Sequence, residues 1–337
     1  HVNGPGSSSL TIEANGYDVF DINDLADGEG TAEVTGLTIT EGGNFVVSFY
    51  YLHTAGLIRD VVIDGNVSTY GAIRMEYLDA PVTIDHVTVT NAQVAQVGGA
   101  VYARGLYNAT ESRRSVTITD STFTDNTGLS VGGAIALTSV PLTMTRTTIT
   151  GNSAANFGGG VYLASDYADA ASLEVSTITD SAISDNESAN RGGGIRVGGN
   201  VQLVVASTTI AGNSSTGSGG GIATADTAEL VVRNSTISGN ESVGWGGGAY
   251  LVGARATFVQ STISGNFSAQ DGGALYGAAD AIIFSTITGN AAGTNAAGSP
   301  GPGTIDGVQL SGAVAIEGSI IVGNGDHDLE AVGAPRW

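Results

Sequence analysis

Cysteine and lysine are both missing from the 337 residues, and all eleven basic residues are arginine. Without thiols the chain can form neither a disulfide framework nor a thiolate metal site. Without lysine it has no Schiff-base chemistry, no lysine general base and no lysine–asparagine isopeptide crosslink. The 32 acidic residues leave a formal charge of −21, so there is no basic stripe to displace the counterions of a nucleic acid. Long apolar runs are missing as well: "VQLVV" at 201–205 is representative and far short of a membrane span. The chain begins at His1 with no signal peptide, which reads as a mature or trimmed product with secretion left open.

Turn and strand residues are plentiful. Fifty-two glycines, only 13% charged residues and an abundance of Thr, Val, Ile, Asn and Ser point to an all-β chain with frequent turns. One phrase organises it. "TTIAGN" (208–213), "STISGN" (235–240 and 261–266) and "STITGN" (285–290) recur every 24 to 27 residues, and weaker copies bring the count to about twelve. A repeat of this length without helical periodicity reads as a solenoid. The third position is apolar throughout, from Ile12 and Ile39 to Ile287 and Ile321, and must face inward, which turns the second and fourth positions, mostly Thr or Ser, outward. "GGGVYL"-type segments and a third apolar stretch ("SVTIT" 115–119, "LVVRN" 230–234) complete each turn. The expectation is one domain, 1–337, an all-β parallel β-helix of about twelve three-stranded coils. Asn126, Asn152, Asn186, Asn213, Asn240, Asn266, Asn290 and Asn324 close their copies of the phrase and are expected to stack in a structural amide ladder. The Gly triplets suit a tight bend and lack the Lys-Ser/Thr of a phosphate loop.

These repeats resemble the right-handed parallel β-helix repeats of bacterial surface proteins of the polymorphic outer-membrane-protein type, with their Ile-Ser-Gly-Asn and Gly-Gly-Gly-Ile signatures. The stretches at 4–22 and 318–333 resemble the early and last coils of a large secreted β-helix family, whose Cys-Ser-Leu-Arg-Glu-Ala-Ile capping motif is absent here. The resemblance implies a right-handed, pectate-lyase-like superfold and a secreted or cell-surface location. It does not select among the lyases, hydrolases, adhesins and structural proteins that share the fold.

A search for a site gives several candidates. His1, His53, His86 and His327 are isolated in sequence and lack the motifs of polygalacturonase-like hydrolases, so a lyase reading rests on an arginine base: Arg113, Arg114 or Arg196. Two coils are stretched after the second strand, at 103–114 and 164–171, with one short coil between them. Both loops leave the same corner and would wall a groove carrying Tyr107, Glu111, Arg113, Arg114, Asp166, Tyr167 and Asp169. A column of Arg74, Tyr102, Tyr162, Arg196, Tyr250 and Tyr276 on the outside of the second sheet is a further binding candidate, for sugars or protein. The acidic stretches 21–30 and 324–330 resemble calcium loops without EF-hand spacing and read as turns, with calcium as the alternative; no other cofactor or metal is implied. The outward Thr-x-Thr pairs resemble ice-binding arrays. The leading expectation is a non-enzymatic, extracellular structural or adhesive β-helix of the bacterial surface or matrix. Its rods stack end to end as homo-oligomers or meet a polysaccharide or cell-surface partner, and a polysaccharide lyase or hydrolase and an ice-binding solenoid are the alternatives.

Overall fold

The computed structural model describes residues 2–7, 10–23, 30–105, 114–166, 173–225, 227–253, 255–293, 307–325 and 328–332. The chain winds as a parallel β-helix: each strand pairs in parallel with its equivalent one coil on, in three sheets of 22, 9 and 12 strands. The largest sheet is bent. Its first row contains Ser115–Thr119, Leu142–Thr145, Glu174–Thr179, Val201–Ala206, Glu229–Arg233 and Arg255–Val259, and its second row the repeat phrase itself, as in Thr148–Thr150, Thr236–Ser238 and Thr262–Ser264. In the early coils Thr31–Thr40 and Ala55–Asp64 run straight through both rows, which is why the two belong to one sheet. The nine-stranded sheet follows the ladder asparagines in strands as short as two residues, such as Ser153–Ala154 and Glu241–Ser242. The twelve-stranded sheet carries the segments after the glycines, for example Val161–Ala164 and Ala249–Leu251.

Most coils therefore have four strand segments. The sequence reading found three of them, because a two-residue strand is too short to show a period of two. The apolar column at the third position is buried as a continuous stack: Ile63, Val89, Phe123, Ile149, Ile183, Ile210, Ile237, Ile263 and Ile287 are inaccessible to solvent. Val101, Ile135, Val161, Ile195, Ile222 and Leu275 of the twelve-stranded sheet face them across one core that runs the length of the coil stack. Burying each such side chain contributes about 1.5–3 kcal/mol.

Left-handed backbone makes the corners. Between the two rows of the bent sheet the turn residue has φ of 48–53° in His86, Asp120, Arg146, Asp180, Ser207, Asn234, Gln260 and Phe284. Bulky residues are uncommon there, yet their N–H groups still bond the next coil, as Gln260 does to the Ile283 carbonyl at 2.9 Å. The Gly triplets pass so close to the next coil that a Cβ at Gly193 would collide with the carbonyl oxygens of Ser214 and Gly220.

Candidate functional site

Two ladders engage the last and the first positions of the repeat phrase. Each amide from Asn126 through Asn290 donates from Nδ2 to Oδ1 of the next asparagine at 2.8–2.9 Å. The same Oδ1 accepts the preceding asparagine's backbone N–H at 2.9–3.1 Å. Nδ2 also donates to the carbonyl of an inward residue one coil back, as Asn240 does to Ile210 at 3.0 Å. The last amide, Asn324, donates instead to the carboxylate of Asp328, through its backbone N–H at 2.8 Å and its side chain at 3.0 Å. An anion thus closes the donor end, where charge-assisted bonds are strongest. Asp328 belongs to the second acidic stretch considered for calcium; residues 24–29 of the first, and His327, lie outside the described residues.

The second ladder runs through the first position of the repeat phrase. Thr147, Ser181, Thr208, Ser235, Ser261 and Ser285 each offer a backbone N–H to the hydroxyl of the next coil at 3.0–3.3 Å. These hydroxyls in turn donate to the carbonyl two residues back, as in Ser235 to Arg233 at 2.8 Å. Sequence reasoning missed this ladder because a Ser or Thr beside an outward Thr looks like one more surface hydroxyl. The signal was there, since position one stays Ser or Thr in every central coil.

The outside of the twelve-stranded sheet carries the aromatic and arginine column in register: Arg74 beside Tyr102, Tyr162 beside Arg196, Tyr250 beside Tyr276. It points away from the core, yet it is not open. Tyr102, Arg196 and Tyr250 are buried, being 7%, 8% and 9% exposed, because side chains from the preceding turn cover them. Phe157 lies under the Arg196 guanidinium at 5.6 Å, Arg191 lies over Tyr250 at 5.3 Å, and Trp245 packs on Tyr250 and Tyr276 at 6.4 and 5.7 Å. Tyr250 and Tyr276 stack at 5.8 Å with planes 15° apart, so these ring faces meet other rings. At the N-terminal end Arg74 sits over Phe45, Tyr50 and Tyr70 at 5.0–5.7 Å and pairs with Glu76. Burial, reinforced by the Glu76 charge, pushes the Tyr102 hydroxyl up to about 12, so it stays protonated and can donate.

The stems of the two long loops meet beside this column. Arg104, at the start of the first loop, donates to Asp166, at the start of the second, at 3.0 Å. Arg114, at the end of the first, pairs with Glu174 beyond the second at 3.2 Å, both side chains nearly buried, and donates to the Ser139 carbonyl of the coil between. The Ser139 hydroxyl accepts the Asp166 backbone N–H at 2.9 Å. Burial raises the Glu174 carboxyl, and the Arg114 bond pulls it partly back. Of the loop residues singled out in the sequence, Arg114 and Asp166 are thus brought together through one coil, and Tyr107, Glu111, Arg113, Tyr167 and Asp169 lie outside the described residues.

One cluster escaped the sequence, in which His86 looked isolated. At the bend of the largest sheet Asp85, His86 and Asp120 have ligand-type atoms within 4.8 Å of one another. They are already engaged: Asp85 with Arg59, Thr119 and His86 at 2.7–2.9 Å, and Asp120 with both Arg146 nitrogens at 2.6 and 2.7 Å. Partial burial raises the Asp85 carboxyl, but the bonds from Thr119, His86 and Arg59 outweigh it and hold the group below its usual range. Asp120 is held low chiefly by its bonds from Arg146. The cluster is an ion-pair network. A separate groove of about 330 Å³ on the short sheet, lined by Val67, Val94, Ala95 and Leu129, holds none of the residues named above.

Residues 82–310, well over half of the chain, match the family described as the right handed beta helix region. The chain belongs to the right-handed β-helix family. No curated protein and no solved structure matches it. In this right-handed β-helix the matched span holds the Asn ladder up to Asn290, the hydroxyl ladder as far as Ser285 and both long loops. No helix among the described residues is long and apolar enough to cross a membrane.

Proposed function

We propose that this right-handed β-helix is a non-enzymatic, extracellular structural or adhesive rod that grips a polysaccharide or cell-surface partner at the corner from which its two long loops rise. The observation that carries this reading is the pair of ion pairs, Arg104–Asp166 and Arg114–Glu174, which tie the two loop stems together across Ser139. Loops anchored on a rigid scaffold are where binding sites usually reside, and preorganised stems reduce the ordering that binding demands. Two of the three arginines considered as a lyase base favour the same reading. Arg114 is engaged by Glu174 and the Ser139 carbonyl, and Arg196 lies over the Phe157 ring. End-to-end association of such rods belongs to this proposal as a second mode of adhesion, checked by sedimentation at low and moderate salt.

The test is to replace residues 106–113 by the short turn that follows Thr138 in the next coil and to measure retention of the full chain on immobilised polysaccharides and whole cells. Lost retention with an unchanged melting temperature supports the docking corner. Release of unsaturated ends or reducing ends from pectin or alginate by the unaltered chain, abolished in Arg114→Ala, overturns the non-enzymatic reading.

A further inference from the structure

The second row of the bent sheet presents a lattice that neither ladder nor the loop corner uses. Its two outward columns are in register from coil to coil. Thr88, Thr122, Thr148, Ala182, Thr209, Thr236, Thr262 and Thr286 form one, and Thr90, Thr124, Thr150, Ser184, Ala211, Ser238, Ser264 and Thr288 the other. The bulky interruptions, Val62 with Asp64 and Ile320 with Val322, pair only at the two ends of this run. Inside it the exceptions are Ala182 and Ala211, which are smaller than Thr and leave the surface level.

Two properties narrow the partner. First, no hydroxyl of the first column has a hydrogen bond among the described residues, unlike the buried ladder hydroxyls one residue earlier. Thr is β-branched and held to few χ1 rotamers, so these groups form a fixed grid, about 4.8 Å apart between coils and about 6.7 Å along each strand. Second, charge is kept away. From 207 to 290 the bend residues are Ser207, Asn234, Gln260 and Phe284 and the opposite corner is Gly212, Gly239, Gly265 and Gly289, with Arg233 and Glu241 beyond those borders and the Asp185 carboxylate against Gly212 marking the edge of the strip. On a chain of net charge −21 this strip matches an uncharged partner. Only a periodic partner can meet a periodic grid at every point. No ring stands in either column for a sugar to stack on, and single hydroxyls with adjacent methyls suit a surface built of water alone.

We propose that the Thr/Ser strip of residues 207–290 binds the surface of ice, holding water in register between its hydroxyl columns. This stands apart from the loop-corner reading and involves none of its residues.

Thermal hysteresis and the faceting of single ice crystals, measured on the full chain over a concentration series, test it. The expected result is hysteresis with faceted growth, mostly lost in Thr236→Tyr and Thr262→Tyr. It is kept in Thr143→Tyr, which alters an exposed position on the neighbouring row. Melting curves are expected to show all three variants folded, as the substitutions lie on the outside. Round crystals and no hysteresis with the folded chain, or undiminished activity in Thr236→Tyr, would overturn the proposal. So would retention on an insoluble uncharged glucan without any effect on ice, which would assign the strip to a polysaccharide.

Discussion

Between residues 81 and 186 the bend of the largest sheet is made by His86, Asp120, Arg146 and Asp180, whereas between 207 and 290 Ser207, Asn234, Gln260 and Phe284 make the same bend with the same φ of 48–53°. The first region carries the Arg59–Asp85 and Arg146–Asp120 pairs, both long loops and their cross-ties. The second has coils of almost constant length and, among the described residues, no ion pair at its bend. Their interiors match: Asn152 and Asn240 make the same two bonds to the next asparagine to within 0.1 Å, and Ile149 and Ile237 are equally inaccessible. The inward positions and the two ladders are enough to wind a coil. The outward positions are free to differ, and both candidate binding surfaces are found there.

Substitutions that load one region or the other sharpen this contrast. The largest effect is expected for Arg114→Ala, which leaves Glu174 buried without its partner and costs about 3–5 kcal/mol in chemical denaturation, with no counterpart in the second region. Ile237→Ala comes next, at about 2–5 kcal/mol for a large-to-small change in a filled core, and Ile149→Ala should match it. The ladder is the direct test of a shared interior. Asn152→Ala and Asn240→Ala are each expected to lose about 1–3 kcal/mol by stranding buried donors, and a clear difference between them would break the comparison.

Acid should then separate the regions by a smaller margin. Asp85 and Asp120 lie below the usual carboxylate range when folded, so their contribution is present above about pH 4, the ordinary carboxylate value, and is lost as pH falls through their lowered values. Glu174 is raised and acts with the opposite sign. Hydrogen exchange below pH 4 should therefore weaken protection at residues 81–146 before residues 207–290, and Arg146→Ala should reduce the difference. The smallest effect belongs to Thr236→Ala, outward and without a side-chain partner, at well under 1 kcal/mol.

How much of this could be read in the sequence follows from the range of the interactions. The apolar third position and the closing asparagine recur within one short phrase, so the core column and the amide ladder are legible from periodicity alone. The burial of Tyr102, Arg196 and Tyr250 is not. Alternation turns them outward, correctly, but Tyr102 stacks on Tyr70, Arg196 lies over Phe157 and Tyr250 meets Arg191, all distant in sequence, and no local pattern reports it. The loop corner was half legible: equal insertion points in coils separated by one neighbour predict adjacency, while the pairing of Arg114 with Glu174 across 60 residues depends on where the stems end. The left-handed bend at Gln260 and Phe284 defied propensity, which places Gly, Asn or Asp at such positions.

The amide ladder has a consequence for how such a chain can change its length. Every rung offers the same acceptor to the rung before it and the same donors to the rung after it. Removing one whole coil, for instance residues 240–265, would bring Asn213 onto Asn266 with each bond of the missing rung remade, and duplicating a coil would insert a new rung as readily. Whole repeats can therefore be gained or lost by recombination between near-identical phrases such as "STISGN" without any new contact having to evolve. Point insertions inside a phrase have no such freedom, since a shift of one residue turns the inward column out. Rod length is thus a heritable variable, and its unit of change is the coil.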